Sequence, residues 1–124
     1  MNHPNVNLSL VSNVWVKQLN FEKAGDVMVS HVHSFDHQTL LAKGSLRVFV
    51  NGIAREFQAP QIIVIGKGES HVLEALEDGT VSYCIHALRS SERAEDIIDP
   101  DQTVDLAKTH PISCEVPNDQ NPLL

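Results

Sequence analysis

Basic residues are scarce in this chain: nine Lys and Arg stand against sixteen Asp and Glu, a formal charge of -7. An acidic surface with no Lys/Arg stripe repels phosphate backbones, so nucleic-acid binding is not expected. Aromatic residues make up only 5% of the chain, so aliphatic side chains must build most of the core. Long apolar runs are missing, with none approaching the roughly 18 residues that span a bilayer. The opening MNHPNVNLSLVSNVWV lacks the basic stretch and apolar run of a secretory signal. Cysteine is limited to Cys84 and Cys114. These are too few for a disulfide framework and do not form a CxxC pair, so reduced thiols in a cytoplasmic protein are expected. Internal repeats and low-complexity segments are also absent.

What remains is enough for one domain over residues 1–124, with 42% apolar residues and a single core. Residues 11–88 read as short strands separated by turn signals, with an extension over 89–124. Val11 to Leu19 marks an opening strand, Val27 to Val32 is rich in strand formers, and Thr39 to Ala42 closes at Lys43-Gly44. Leu46, Val48 and Val50 alternate with Arg47 and Phe49, the period of a half-buried strand. Asn51-Gly52 then gives a two-residue hairpin signal, and Ile53 to Gln58 returns. Ile62 to Ile65 is uninterrupted and apolar, which predicts a strand buried on both faces. His71 to Leu76 and Thr80 to Leu88 complete about eight strands at intervals of roughly 8–12 residues, the spacing of an all-β sandwich or barrel. Past Leu88 the pattern changes: Ser91 to Ile98 could form a short helix. Asp99-Pro100-Asp101-Gln102 reads as a capped helix start running to about Lys108, followed by an irregular tail.

Seven histidines are present, and their placement carries the chemistry. His31 and His33 are two apart, so on a strand they share a face. Ser34-Phe35-Asp36 can turn the chain, His37 opens the next strand, and His71 follows a glycine-containing turn. Four neutral imidazoles with no carboxylate would leave a divalent metal its full charge and attract an anion or an enolate. In an octahedral ion such a set leaves two positions open. In tetrahedral zinc it closes the shell and favours a structural role.

These residues resemble the cupins, small double-stranded β-helix (jelly-roll) barrels of the RmlC-like kind, whose first motif is G-x5-H-x-H-x3,4-E-x6-G. Here it runs Gly25-DVMVS-His31-Val32-His33-SFD-His37-QTLLAK-Gly44, with His37 where the family usually has Glu. The second motif is normally G-x5-P-x-G-x2-H-x3-N. Gly66-Lys67-Gly68-Glu69-Ser70-His71 keeps the Gly-x2-His spacing, while Gly66 replaces the Pro and Ala75 fills the Asn position. Gly52 to Gly66 also departs from the family's five-residue spacing. The resemblance implies a metal held by His31, His33, His37 and His71, as in single-domain cupins with four-histidine sites. One divalent ion per chain is implied, with manganese or iron favoured and zinc or nickel as alternatives.

By the same resemblance the expected activity is O2-dependent, dioxygenase-like oxidative cleavage of a small organic substrate. A metal-dependent isomerase or lyase and a non-catalytic small-ligand-binding cupin are the alternatives. Phe35, Tyr83, Cys84 and His86 are candidates for pocket or supporting positions, though buried strand residues with local hydrogen bonds are the more ordinary reading. Gln38, Arg47, Arg55 and Lys67 could meet an anionic substrate or simply be surface groups. A homodimer is expected from the family, with Val11 to Leu19 as the contact.

Overall fold

The computed structural model describes residues 2–30, 37–66 and 68–93, with Ser30 and His37 described by their backbone only. The expected C-terminal helix, the tail and the stretch around His31, His33 and Phe35 lie outside the described residues. Those residues hold nine strands: β1 (Asn5–Val11), β2 (Val14–Phe21), β3 (Val27–Ser30), β4 (His37–Lys43), β5 (Ser45–Val50), β6 (Ile53–Gln58), β7 (Gln61–Ile65), β8 (His71–Ala75) and β9 (Thr80–Ala87). All pairings are antiparallel. One sheet runs β1-β2-β9-β4-β7 and the other β3-β8-β5-β6. This is the expected jelly-roll arrangement of two facing sheets.

The expected opening strand, Val11 to Leu19, spans the turn and most of the second strand of a hairpin whose first strand begins at Asn5. Val11 pairs with Val14 across a two-residue turn, and Ser12 takes φ 55°. Ser12 and Asn13 are turn-forming residues, but the apolar flanks on either side outweighed that signal. The second correction concerns β7. Ile63 and Ile65 are buried, but Ile62 and Val64 are 64% and 67% exposed. β7 is the edge of its sheet and only its inner face meets the core. Four consecutive apolar residues cannot reveal which alternate pair is covered.

Elsewhere side chains alternate regularly between the two faces, although the inward set of β9 is the polar one. β2 turns Trp15, Lys17, Leu19 and Phe21 inward, and β9 turns Thr80, Ser82, Cys84 and His86 inward. The core proper gathers Leu8, Leu19, Phe21, Leu41, Leu46, Val48, Ile65 and Leu73. Each large side chain fully buried there contributes about 1.5–3 kcal/mol of hydrophobic stabilisation. The β5–β6 hairpin closes as the sequence indicated: Val50 pairs with Ile53, and Asn51 and Gly52 take φ 50° and 82°. Arg47 faces outward on β5, bound to Glu56 at 2.8 Å and to Glu74 at 3.1 Å.

Candidate functional site

One end of the barrel collects the chemistry-bearing positions. Ser30, which immediately precedes His31 in the sequence, pairs with His71, and His71 also pairs with Val50. His37 pairs with Ile65, the last residue of β7. β8 begins at His71, six residues after β7 ends at Ile65. The end of β3, the start of β4 and the start of β8 therefore share one mouth. Of the four expected ligands, the structure describes the side chain of His71 alone. His31 and His33 lie outside the described residues, as does the side chain of His37. Among the described residues no three His, Cys, Asp or Glu side chains come together as a metal cluster.

His71 itself has the form of a ligand. It is 2% exposed, and its Nδ1 lies 3.3 Å from the Glu69 carbonyl oxygen. In the tautomer protonated at Nδ1 the ring donates to that carbonyl and offers Nε2 to a metal, the usual support for a ligating imidazole. Burial holds its pKa below the ordinary histidine value. The Glu69 carbonyl and carboxylate oppose that shift, and the Lys17 charge adds to it. Both the neutral state and the backbone acceptor suit a metal-binding histidine.

The wall supplied by β2, β9 and β4 is unexpectedly polar. Lys17 pairs in register with Cys84, and Cys84 with Thr39. All three are buried, with Lys17 only 4% exposed. Thr39 Oγ1 and Cys84 Sγ are 3.5 Å apart. Burial pushes the Cys84 thiol up, against the pull of Thr39 and the Lys17 charge. The Lys17 charge thus acts on His71 of one sheet and Cys84 of the other, so the ammonium belongs to the interior between them. Sequence reading passed over Lys17. Its signal was parity, since it shares the inward period of Trp15, Leu19 and Phe21. Trp15 Nε1 and Ser82 Oγ are buried without a hydrogen-bond partner among the described residues.

The remaining candidates divide cleanly. Cys84 and His86 face inward. His86 Nε2 lies 2.8 Å from Glu92 Oε1, and that oxygen also accepts from the Arg89 amide at 2.7 Å. Tyr83 is on the opposite, outer face of β9, where its hydroxyl accepts from Gln18 Nε2 at 2.9 Å. It does not line the interior. Phe35 lies outside the described residues.

A cavity of about 350 Å³ opens in the seam between β5–β6 and β7. Its described lining includes Val50 and Ile65, the register partners of His71 and His37.

No protein-family model and no curated protein matches the chain. Solved structures do. An RmlC-like cupin from Methanocaldococcus jannaschii with a double-stranded β-helix fold aligns at TM-score 0.61 and 10% identity, covering 70% of this chain and 82% of that one. A conserved protein with a double-stranded β-helix domain from Klebsiella pneumoniae aligns at 0.62 and 20%, covering 73% and 81%. KdgF from Halomonas sp. aligns at 0.58 and 18%, covering 69% and 80%. Strand order, antiparallel pairing and these neighbours agree: the chain has the RmlC-like double-stranded β-helix fold of the cupins.

Proposed function

We propose that this protein is a metal-dependent cupin acting on a small organic molecule, with His31, His33, His37 and His71 holding one divalent ion. The observation that carries this reading is the register that sets Ser30 opposite His71, with a buried, neutral-leaning imidazole supported by the Glu69 carbonyl. Manganese or iron is the favoured ion. When bound, such an ion supplies Lewis acidity that lowers the pKa of a chelating, oxygen-rich substrate and gives it access to redox chemistry with O2. Oxidative cleavage is the reaction we favour.

The residues of the chain do the rest. Lys17 brings a basic side chain to the interior wall, which suits an anionic ligand better than a cationic one. Trp15, Val50 and Ile65 give the mouth apolar walls that exclude water. Burial opposes the charging of His71 and so favours the form that can ligate a metal. A homodimer in the cytoplasm is part of the proposal.

Metal analysis of untagged protein purified without chelator, beside His37→Ala and His71→Ala, tests it. About one iron or manganese per chain, lost in both variants, is expected and would justify an O2-consumption screen. One zinc per chain would shift the reading to lyase, isomerase or structural roles. No metal after reconstitution would overturn it and leave a small-ligand-binding cupin.

A further inference from the structure

Two arginines of the β5–β6 hairpin have opposite surroundings. Arg47 is on the outer face and is engaged by two carboxylates. Arg55 pairs in register with Val48, a core residue 2% exposed. It therefore shares the inner-facing side of β6 with Ile53 and Phe57, and all three line the seam cavity, although Arg55 and Ile53 remain exposed because β6 is an edge strand. Arg55 has no hydrogen bond or ion pair with any described residue, in contrast to Arg47. Its guanidinium is a planar fork of donors beside a wall built from Val48, Val50, Phe57, Ile63 and Ile65.

We infer that the seam cavity is a binding site for small apolar monocarboxylates, with the carboxylate on Arg55 and the apolar body against Val50, Phe57, Ile63 and Ile65. A bidentate guanidinium–carboxylate pair fixes orientation, and the apolar wall supplies most of the burial. The volume of about 350 Å³ is at the small end of ligand pockets, which run to about 300–1,000 Å³. Glu69 shares the lining, and its carboxylate repels a second acid group, so a monocarboxylate fits better than a dicarboxylate. Val50 and Ile65 adjoin His71 and His37 in register, so the far end of the ligand is directed towards the proposed metal. That connection rests on the preceding reading, whereas carboxylate binding in the seam does not.

The test is a titration of methyl- and amide-labelled protein with hexanoate and benzoate, followed by NMR in metal-stripped and metal-loaded forms. Saturable shifts at the Val48, Val50, Ile63 and Ile65 methyls are expected in both forms. Hexanamide and benzamide should bind at least tenfold more weakly. Arg55→Met should cut affinity for the acids at least tenfold. Arg47→Met removes the same charge from the outer face and should leave affinity within twofold. Thermal melting of Arg55→Met near wild type would show that folding is intact, as an exposed edge-strand position predicts. No saturable shift with either acid would overturn the inference, as would equal binding of the amides or unchanged affinity in Arg55→Met. Binding confined to metal-loaded protein and indifferent to Arg55 would also overturn it, placing the carboxylate at the histidine site. Failure of the metal analysis alone would leave this result standing.

Discussion

Gly44 ends the first histidine motif, and its backbone explains why. It takes φ 81°, and an added Cβ would collide with the side chain of buried Thr80 and lie 3.0 Å from the Thr80 Cα. Thr80 cannot yield easily, because its hydroxyl donates to the Glu77 carbonyl at 2.9 Å. Gly44→Ala combines left-handed strain with overpacking and should cost about 2–4 kcal/mol, read as a lower urea midpoint. Gly66, at the Pro position of the second motif, has no left-handed backbone, and the nearest atoms to a Cβ there would be those of the Glu69 carboxylate, at 3.4 Å. Cys84 makes a different prediction. With its thiol pushed up by burial, it should remain unmodified by a disulfide reagent at mildly alkaline pH in a Cys114→Ser background. It should titrate fully in concentrated urea, and rapid native labelling would contradict its burial. Lys17 matters for metal affinity. Its charge disfavours positive charge at His71, so Lys17→Met should raise metal affinity severalfold in a competitive chelator titration. A fall would mean that Lys17 supports the site in another way. At this scale the sequence exposed the histidines through their spacing. Arg55 was noted as a possible anion contact but not told apart from Arg47, and Lys17 stayed hidden, because a charged residue on a strand looks like ordinary surface until register assigns its face.

Elements reveal where alternation suffices and where it does not. β2 and β5 carry an inward apolar set or a clear hairpin signal, so their placement follows from period and turn chemistry, whereas β9 buries its polar set, Thr80, Ser82, Cys84 and His86, and turns Val81, Tyr83 and Ile85 outward. β1 was missed because its Asn and Ser residues dilute the pattern, although Leu8 is buried. β7 was misjudged because burial of an edge strand depends on what lies beside it. The segment after β9 is fastened locally: Glu92 accepts from the Arg89 amide and from His86. These contacts, the Arg89 amide first, hold the Glu92 pKa below the ordinary glutamate value of 4.5. The sign follows from a lowered folded-state pKa: the stabilisation is complete above 4.5 and is lost as pH falls through the lower folded value. Amide exchange at Arg89, corrected for intrinsic rate, should therefore accelerate as pH drops below that range. Glu92→Gln should show fast exchange at neutral pH and little further response. An Arg89 amide as slow in Glu92→Gln as in wild type would remove the role assigned to this contact.

For the molecule as a whole, the fold was legible because turns, strand count and motif spacing pointed to one topology. No helix among the described residues is long and apolar enough to cross a membrane. The outer face of the five-stranded sheet carries exposed Ile62 and Val64, with Leu40 bridging Ile62 and Tyr83 in register. This face is a second candidate for the dimer contact beside the expected Val11 to Leu19 stretch, where Trp15 and Leu19 belong to the core but Val11 and Val14 are exposed. Sedimentation should show a dimer at micromolar concentration, converted to monomer by Val64→Lys with the melting profile otherwise retained. A wild-type monomer would contradict this.

The seam between β6 and β7 has one more consequence. The two strands are consecutive in the chain, yet they pair into different sheets and share no ladder. Opening the gap by an ångström would break no inter-strand hydrogen bond and would cost only loosened side-chain contacts. The opposite boundary, between β1 and β3, likewise carries no strand ladder, so the two sheets meet at both sides through side chains and connections and not through strand pairing. A pocket at such a line selects guests by bulk only gently and by charge more firmly, so size tolerance and acid selectivity should coexist there.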